Sequence, residues 1–267
     1  MILIPKFNSD KNIVFYCAYG KKHREECIIS LNSLKDHCSD IKVVIYTDNA
    51  SHISNECPLN KKDEICENEI DVGDKWKNIY KVTSLIHYID KKESVFNILF
   101  LDTDTMVVSN LQKIFKALEF ADFAAAHANQ RFGSGKRKKQ IRKVPQIFPQ
   151  YNTGVMLMKT TEEIFAFLKL WQFYYLEKYK VFSKFDQPMF RFAAYDSKLL
   201  IYTLTSECNL RTISHMTKVS DEVFILHDRN LRRKKYREAI ITDINSKLCE
   251  RYWNKKEIKW YKKGIDY

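Results

Sequence analysis

The sequence predicts an α/β protein built on a mostly parallel mixed sheet with helices on both faces. Three observations predict it. Short β-rich apolar runs alternate with stretches of helical spacing along the chain, the pattern of strand–helix–strand units. The run Ile98 to Leu101 is apolar throughout, as a strand covered on both faces must be. That run ends on Asp102-Thr103-Asp104, at the carboxyl end of a strand, where open α/β sheets bind their ligands.

The elements follow in order. Ile13 to Cys17 (IVFYC) is the first strand. His23 to His37 places Cys27, Leu31 and Leu34 at helical spacing. Val43 to Thr47 is a second strand, ending at Asp48. Lys77 to Ile89 carries Val82, Leu85, Ile86 and Ile89 on one stripe, an amphipathic helix. After the Asp-bearing strand, Phe123 to His127 and Gly154 to Met158 read as further strands. Thr160-Thr161-Glu162-Glu163 forms a capping box before an aromatic-rich helix to about Tyr179. Leu199 to Leu204 and Val223 to Leu226 complete the strands, and Ile240, Ile244 and Leu248 mark a last helix. There is no internal repeat and no linker-like composition. One domain over 1–267 is the economical reading, with a basic loop at 128–150 and a basic C-terminal segment at 229–267.

Composition narrows the class. A chain of 267 residues, 45% hydrophobic and 13% aromatic, is large and apolar enough for a substantial core. No apolar run approaches the roughly 18 residues of a membrane span. The opening MILIPKFNSDKN has too short an apolar segment for a secretory signal. Seven scattered cysteines without a CxxC pair argue against a disulfide framework and a zinc site. These features point to a reducing, cytoplasmic setting.

The chemistry concentrates at Asp102 and Asp104. Two buried carboxylates without a cation are costly, so the pair predicts a metal. Oxygen ligands favour Mn²⁺ or Mg²⁺, which bridge to phosphates. The plain alternative is an Asp pair that caps a strand-to-turn transition. The net charge of +12 is uneven: Arg131 to Lys143 holds seven cations and Arg229 to Arg237 six, with no acid in either. Such clusters attract a nucleotide diphosphate, an anionic glycan, anionic lipid or nucleic acid, or form a solvated face. They admit nucleic acid and peripheral membrane contact as partners.

LFLDTDTMVV, YNTGVMLMK at Tyr151 to Lys159, FDQP at Phe185 to Pro188 and an apolar segment closing on His227 stand in a telling order. That order resembles the metal-dependent GT-A glycosyltransferases, most of all glycosyltransferase family 8, over roughly Ile13 to Arg233. The resemblance implies a single GT-A domain, Mn²⁺ or Mg²⁺ as cofactor, and a nucleotide-sugar donor, with a UDP-sugar favoured. The reaction it implies moves a hexosyl group to an acceptor hydroxyl with retention. The acceptor would be a glycan or another anionic molecule.

Carried over position by position, the resemblance makes Asp102, Asp104 and His227 the metal ligands, with Thr103 between the first two. Imidazole would add a third ligand without further negative charge. Asn152, in the N-[ST]-G turn, would face the donor sugar and acceptor, and Gly154 would allow close backbone approach. Asp186 and Gln187 would read sugar hydroxyls near the anomeric carbon and steady the transition state. Asp186 also reads as a helix N-cap ahead of Pro188. Cys17, Ala18 and Tyr19 would line the base pocket, with Asp48 nearby. Lys81 would reach donor phosphate or sugar, or else lie on the surface. Family 8 members follow the histidine with Gly three positions on and Lys-Pro-Trp from six on. Here Asn230 and Arg233 stand at those offsets, so a cation is kept and the rest is not. Which of Arg229, Arg232, Arg233 and Lys234 meets the diphosphate stays open, with Arg229 and Arg233 the first candidates.

Two other classes fit parts of the sequence. Asp102-Thr103-Asp104-Thr105 also matches the DxDx[TV] signature of haloacid dehalogenase-type phosphatases, although no Asp-Asp or Gly-Asp-x-x-x-Asp pattern follows and about a hundred residues precede it. The basic clusters alone would suit a polyanion-binding protein, and a DNA-modifying glycosyltransferase would combine the two.

Overall fold

The computed structural model describes residues 11–70, 79–128, 144–145, 147–182, 186–211, 217–219, 221–245, 251–254 and 259–262. The basic cluster Arg131 to Lys143 and the residues Lys77, Phe185 and Leu248 lie outside the described residues.

In chain order the elements are β1 (Asn12–Ala18), α1 (Lys21–His37), β2 (Lys42–Thr47), α2 (Ala50–Ser54), β3 (Glu64–Glu67) and α3 (Tyr80–Asp90). Next come β4 (Asn97–Leu101), β5 (Thr105–Val107), α4 (Gln112–Phe115), β6 (Phe123–His127) and β7 (Tyr151–Lys159). After these follow α5 (Glu162–Phe182), α6 (Gln187–Ser197), β8 (Ile201–Leu204), β9 (Leu210–Arg211), β10 (Thr217–Val219) and β11 (Ile225–His227). The chain closes with α7 (Lys234–Asn245), β12 (Arg251–Asn254) and β13 (Lys259–Lys262).

The central sheet runs β3-β2-β1-β4-β7-β6-β8. Each neighbour pair is parallel except those made by β7, which runs antiparallel to both β4 and β6. The Asp-bearing strand β4 is therefore parallel on one side only. Both its faces are covered, which is why it still reads as a continuous apolar run. Alternation along the strands sorts the core into two layers. Phe15, Tyr46, Ile98, Phe100 and Met156 pack with α3, α5 and α6 on one face. Val14, Tyr16, Ile45, Leu99, Leu101 and Val155 pack with α1 and α4 on the other. The stripe Val82, Leu85 and Ile89 on α3 is buried as its spacing predicts.

A small sheet, β5-β11-β9, stands beside the end of β4, and a third joins β10, β12 and β13. Short strands β3, β5 and β9 escape sequence reading because two to four residues carry no period. Helix α6 is longer, but locally its sequence signals only the Asp186 cap and Pro188 in the first turn. No helix among the described residues is long and apolar enough to cross a membrane.

Candidate functional site

The chain leaves β4 at Leu101, turns through Asp102-Thr103-Asp104 and re-enters β5 at Thr105. Thr105 closes the turn by donating both its N–H (3.2 Å) and its hydroxyl (2.7 Å) to the Asp102 carbonyl. Two further backbone bonds clamp it. Asp102 N–H donates to the Gly154 carbonyl of β7 at 2.7 Å, and Asp228 N–H donates to the Asp104 carbonyl at 2.9 Å. The second bond continues the antiparallel pairing of β5 with β11, whose last residue is His227 opposite Thr105. Backbone pairing thus carries His227, 123 residues away in sequence from Asp104, to the acidic turn.

One ligand atom from each of Asp102, Asp104 and His227 lies within 4.8 Å of the others. His227 Nε2 is 3.2 Å from Asp104 Oδ1 and 3.8 Å from Asp102 Oδ2. Two hard carboxylate oxygens and one imidazole nitrogen fit a divalent cation of the Mg²⁺–Mn²⁺ kind. Gly154 supplies the room. A Cβ there would stand 2.1 Å from His227 Cε1 and 2.7 Å from Asp102 Oδ2. Its glycine is required by space, since its backbone is ordinary extended strand. Burial works to raise the Asp104 carboxyl, but His227 when its ring is protonated, together with Arg211 and Arg229, outweighs it and holds the group well below the usual carboxylate range.

Lys81 joins the two acidic motifs. Its Nζ lies 2.8 Å from Asp102 Oδ1 and 3.1 Å from Asp186 Oδ2, and it also donates to the Thr153 carbonyl at 2.9 Å. Only 13% of the side chain is exposed, so the surface-lysine reading is corrected. Burial alone would lower its pKa; Asp102 and Asp186 raise it instead. Asp186 Oδ2 further accepts the Thr153 hydroxyl at 2.7 Å. Asp186 stands at the N-cap of α6 but makes no side-chain cap bond, because its carboxylate is drawn to Lys81 and Thr153. Gln187 is the first residue of α6, half-buried beside this cluster, with Pro188 in the first turn.

Other expected residues sit differently. Asn152-Thr153-Gly154 is not a turn but the interior of β7. Asn152 is buried, and its amide oxygen accepts from Gly154 N–H and from Asn209 Nδ2, behind the histidine. Ala18 turns its methyl into the α1-side core while Cys17 and Tyr19 pack toward α3, as strand alternation demands. The Cys17 thiol bonds Ser84 at 3.6 Å, and burial pushes it up to about 12, so it stays neutral. Tyr19 stacks on Tyr80 with ring centroids 3.9 Å apart. Thr103 points away from its two neighbours into α1, donating to Glu26 at 3.3 Å and bonding His23 at 3.2 Å. Asp48 braces the β1–α1 turn, accepting from Gly20 N–H at 3.0 Å and from Arg24. Both its oxygens are thereby engaged within the fold.

Of the basic candidates, Arg229 stands 3.7 Å from Asp104 Oδ2 with 71% of its side chain exposed. Arg233 is exposed at the end of the short 3-10 turn after His227. Two residues escaped sequence reading. Arg211 of β9 is in register with His227, and its Nε is buried with no hydrogen-bond partner among the described residues. Asn209 is buried against the ring of His227. Neither lies in a local motif, so no spacing signals them.

No protein-family model matches the chain, and no curated protein matches its sequence. Solved structures do match its fold. Mouse xyloside xylosyltransferase 1, in its apo form, superposes with a TM-score of 0.57 at 13% identity, over 80% of this chain and 96% of that one. Galactosyltransferase LgtC, solved with donor and acceptor sugar analogs, gives 0.56 at 13% identity, over 80% of this chain and 86% of that one. The central sheet and its flanking helices are thus those of a GT-A fold, and the chain has the fold of the GT-A glycosyltransferases.

Proposed function

We propose that the protein is a metal-dependent glycosyltransferase that moves a hexosyl group from a nucleotide-sugar, a UDP-sugar by preference, to an acceptor hydroxyl with retention. The observation that carries this reading is the convergence of Asp102, Asp104 and His227 at the carboxyl end of β4, the central strand of a GT-A fold. Mn²⁺ or Mg²⁺ held there would neutralise charge on the departing diphosphate.

The chain's own residues have separable roles in this reading. Arg211 and Arg229 beside Asp104 favour its anionic form. Lys81 ties the metal-side carboxylate of Asp102 to Asp186, so the ligand turn and the start of α6 move as one unit. Asp186 and Gln187, at that start, face the sugar. Arg229, exposed beside Asp104, is free to meet the leaving phosphate, with Arg233 behind it. Cys17 and Tyr19 border the base pocket. The exposed Arg229, Arg232 and Arg233 favour an anionic acceptor or an anionic surface near the site.

The test is nucleotide release from UDP-, GDP-, CMP- and ADP-sugars with Mn²⁺, for wild type and Asp104→Ala. Metal-dependent release from one donor, lost in the variant, supports the reading and names the donor. Silence across the panel, together with no metal-dependent thermal stabilisation by any nucleoside diphosphate, sinks it. Release of phosphate from a generic ester instead would favour the phosphatase class.

A further inference from the structure

The orientation of one buried hydrogen-bond chain follows from a single backbone group. Gly154 N–H donates to Asn152 at 2.9 Å, and a backbone N–H has no other role, so the acceptor is the amide oxygen Oδ1. The same oxygen faces Asn209 at 3.0 Å, which must therefore present its Nδ2 donor. The other end of the Asn209 amide is then Oδ1, 2.8 Å from His227 Nδ1. An amide oxygen only accepts, so Nδ1 carries the proton. In the neutral ring this leaves Nε2 as a bare lone pair, aimed at the space shared with Asp102 and Asp104.

All three side chains are shut away from water: Asn152 is 3% exposed, Asn209 4% and His227 3%. Water cannot satisfy a reversed amide here, so turning either asparagine would set donor against donor or acceptor against acceptor. The backbone fixes the spacing. Asn209 ends a 3-10 turn directly before β9, and β9 pairs with β11 in parallel register, Leu210 with Leu226 and Arg211 with His227. Asn209 is thereby held alongside the ring it bonds.

We propose that Asn209 is a positioning residue that, backed by Asn152, fixes His227 as the Nδ1–H tautomer and so presents Nε2 as a ready metal ligand. A hydrogen bond from the distal ring nitrogen of a metal-bound histidine sets tautomer and ring angle, and its loss typically costs 10–100-fold in metal affinity. The importance of the tautomer for metal binding rests on the metal site proposed above. The tautomer itself does not.

The full chain labelled with ¹⁵N-histidine tests it. Long-range proton–nitrogen correlation spectra would be recorded metal-free across a pH series, and the tautomer read where the ring's own nitrogen shifts show one protonated and one bare nitrogen. His227 is identified by the signals lost in His227→Gln. The expected wild-type result is a protonated Nδ1. Asn209→Leu, similar in size but without an acceptor, should shift the proton toward Nε2 and weaken Mn²⁺ binding by about 10–100-fold. Asn152→Asp, which still offers an acceptor to Gly154 and Asn209, should keep the wild-type tautomer. A neutral wild-type ring with Nδ1 bare and its proton on Nε2 overturns the proposal without any variant. An Asn209→Leu protein that keeps the Nδ1–H spectrum overturns it too, even if metal binding falls, because the residue would then act only as packing. If Asn209→Leu does not fold, Asn209→Ala removes the same acceptor without apolar bulk. Failure of the wild type to bind Mn²⁺ would sink the metal site, and the metal-free spectrum would still decide the ring.

Discussion

A side-chain carbon at Gly154 would lie 2.1 Å from Cε1 of His227. A Cβ is fixed by the backbone, and the ring it meets is buried and held from behind by Asn209. Gly154→Ala must therefore push the ring or the Asp102 carboxylate away from the shared ligand space. Over-packing of this kind costs about 1–3 kcal/mol. The expected outcome is a folded protein with a modestly lower Tm and Mn²⁺ affinity reduced more than tenfold. Calorimetric titration beside a melting curve checks it; full metal affinity would show that the strand relaxes around the methyl.

Lys81 should matter to stability before any substrate binds. Removing it leaves Asp102 and Asp186 facing a largely buried position without their cation. Loss of one partner from such a group costs about 3–5 kcal/mol. Lys81→Met, unfolded in denaturant with chelator present, should lose an amount in that range.

The pH dependence of that loss has a defined sign. The folded-state pKa of Lys81 is raised above its ordinary value of about 10.4. Its stabilisation is therefore fully present below that value and fades as pH rises through the folded pKa. The gap between wild type and Lys81→Met should stay constant from neutral pH to about 10 and narrow only above it. A gap that closes below pH 9 would mean the lysine is not held by its two carboxylates.

Asp48 gives the opposite profile. Partial burial pushes its carboxyl up, but Arg24 and the Gly20 N–H outweigh that and lower it. A lowered pKa stabilises above the unfolded value of about 3.9 and the effect is lost as pH falls through the folded value. With the carboxylate one-third exposed, Asp48→Asn should cost only about 1 kcal/mol at neutral pH, and the difference should fade only as pH falls below the ordinary carboxylate value of about 3.9. Donor-nucleotide affinity should change little, because both oxygens are engaged within the fold.

Ligand linkage gives a test independent of turnover. Mn²⁺ with a nucleoside diphosphate at 100 times its Kd should stabilise the protein by about 2.7 kcal/mol. For a chain of this size that is a rise in Tm of several degrees. Asp104→Ala should abolish the rise. An equal shift in wild type and variant would place nucleotide binding elsewhere, with the exposed arginines after His227 the first place to look.

Sequence by itself determined the longer strands of the central sheet, the amphipathic helices and the acidic turn. Burial on both faces demands continuous apolar runs such as Ile98 to Leu101, and helix spacing is a local property of Cys27, Leu31 and Leu34 or of Val82, Leu85 and Ile89. Asp102 and Asp104 were legible because two carboxylates at a strand end have few other uses. His227 was reached only through a resemblance, since a lone histidine after an apolar segment has no local signature. The tertiary structure decided what the site is made of. It turned Lys81 from a surface candidate into the link between two motifs, placed Asn152 behind the histidine inside β7, and turned Thr103 and Ala18 away. It also brought in Asn209 and Arg211, through the register of β9 on β11. The physical reason is the same throughout. Periodicity along a chain records which face of an element is buried, whereas a ligand cluster depends on which strands lie side by side, and that is set by long-range pairing.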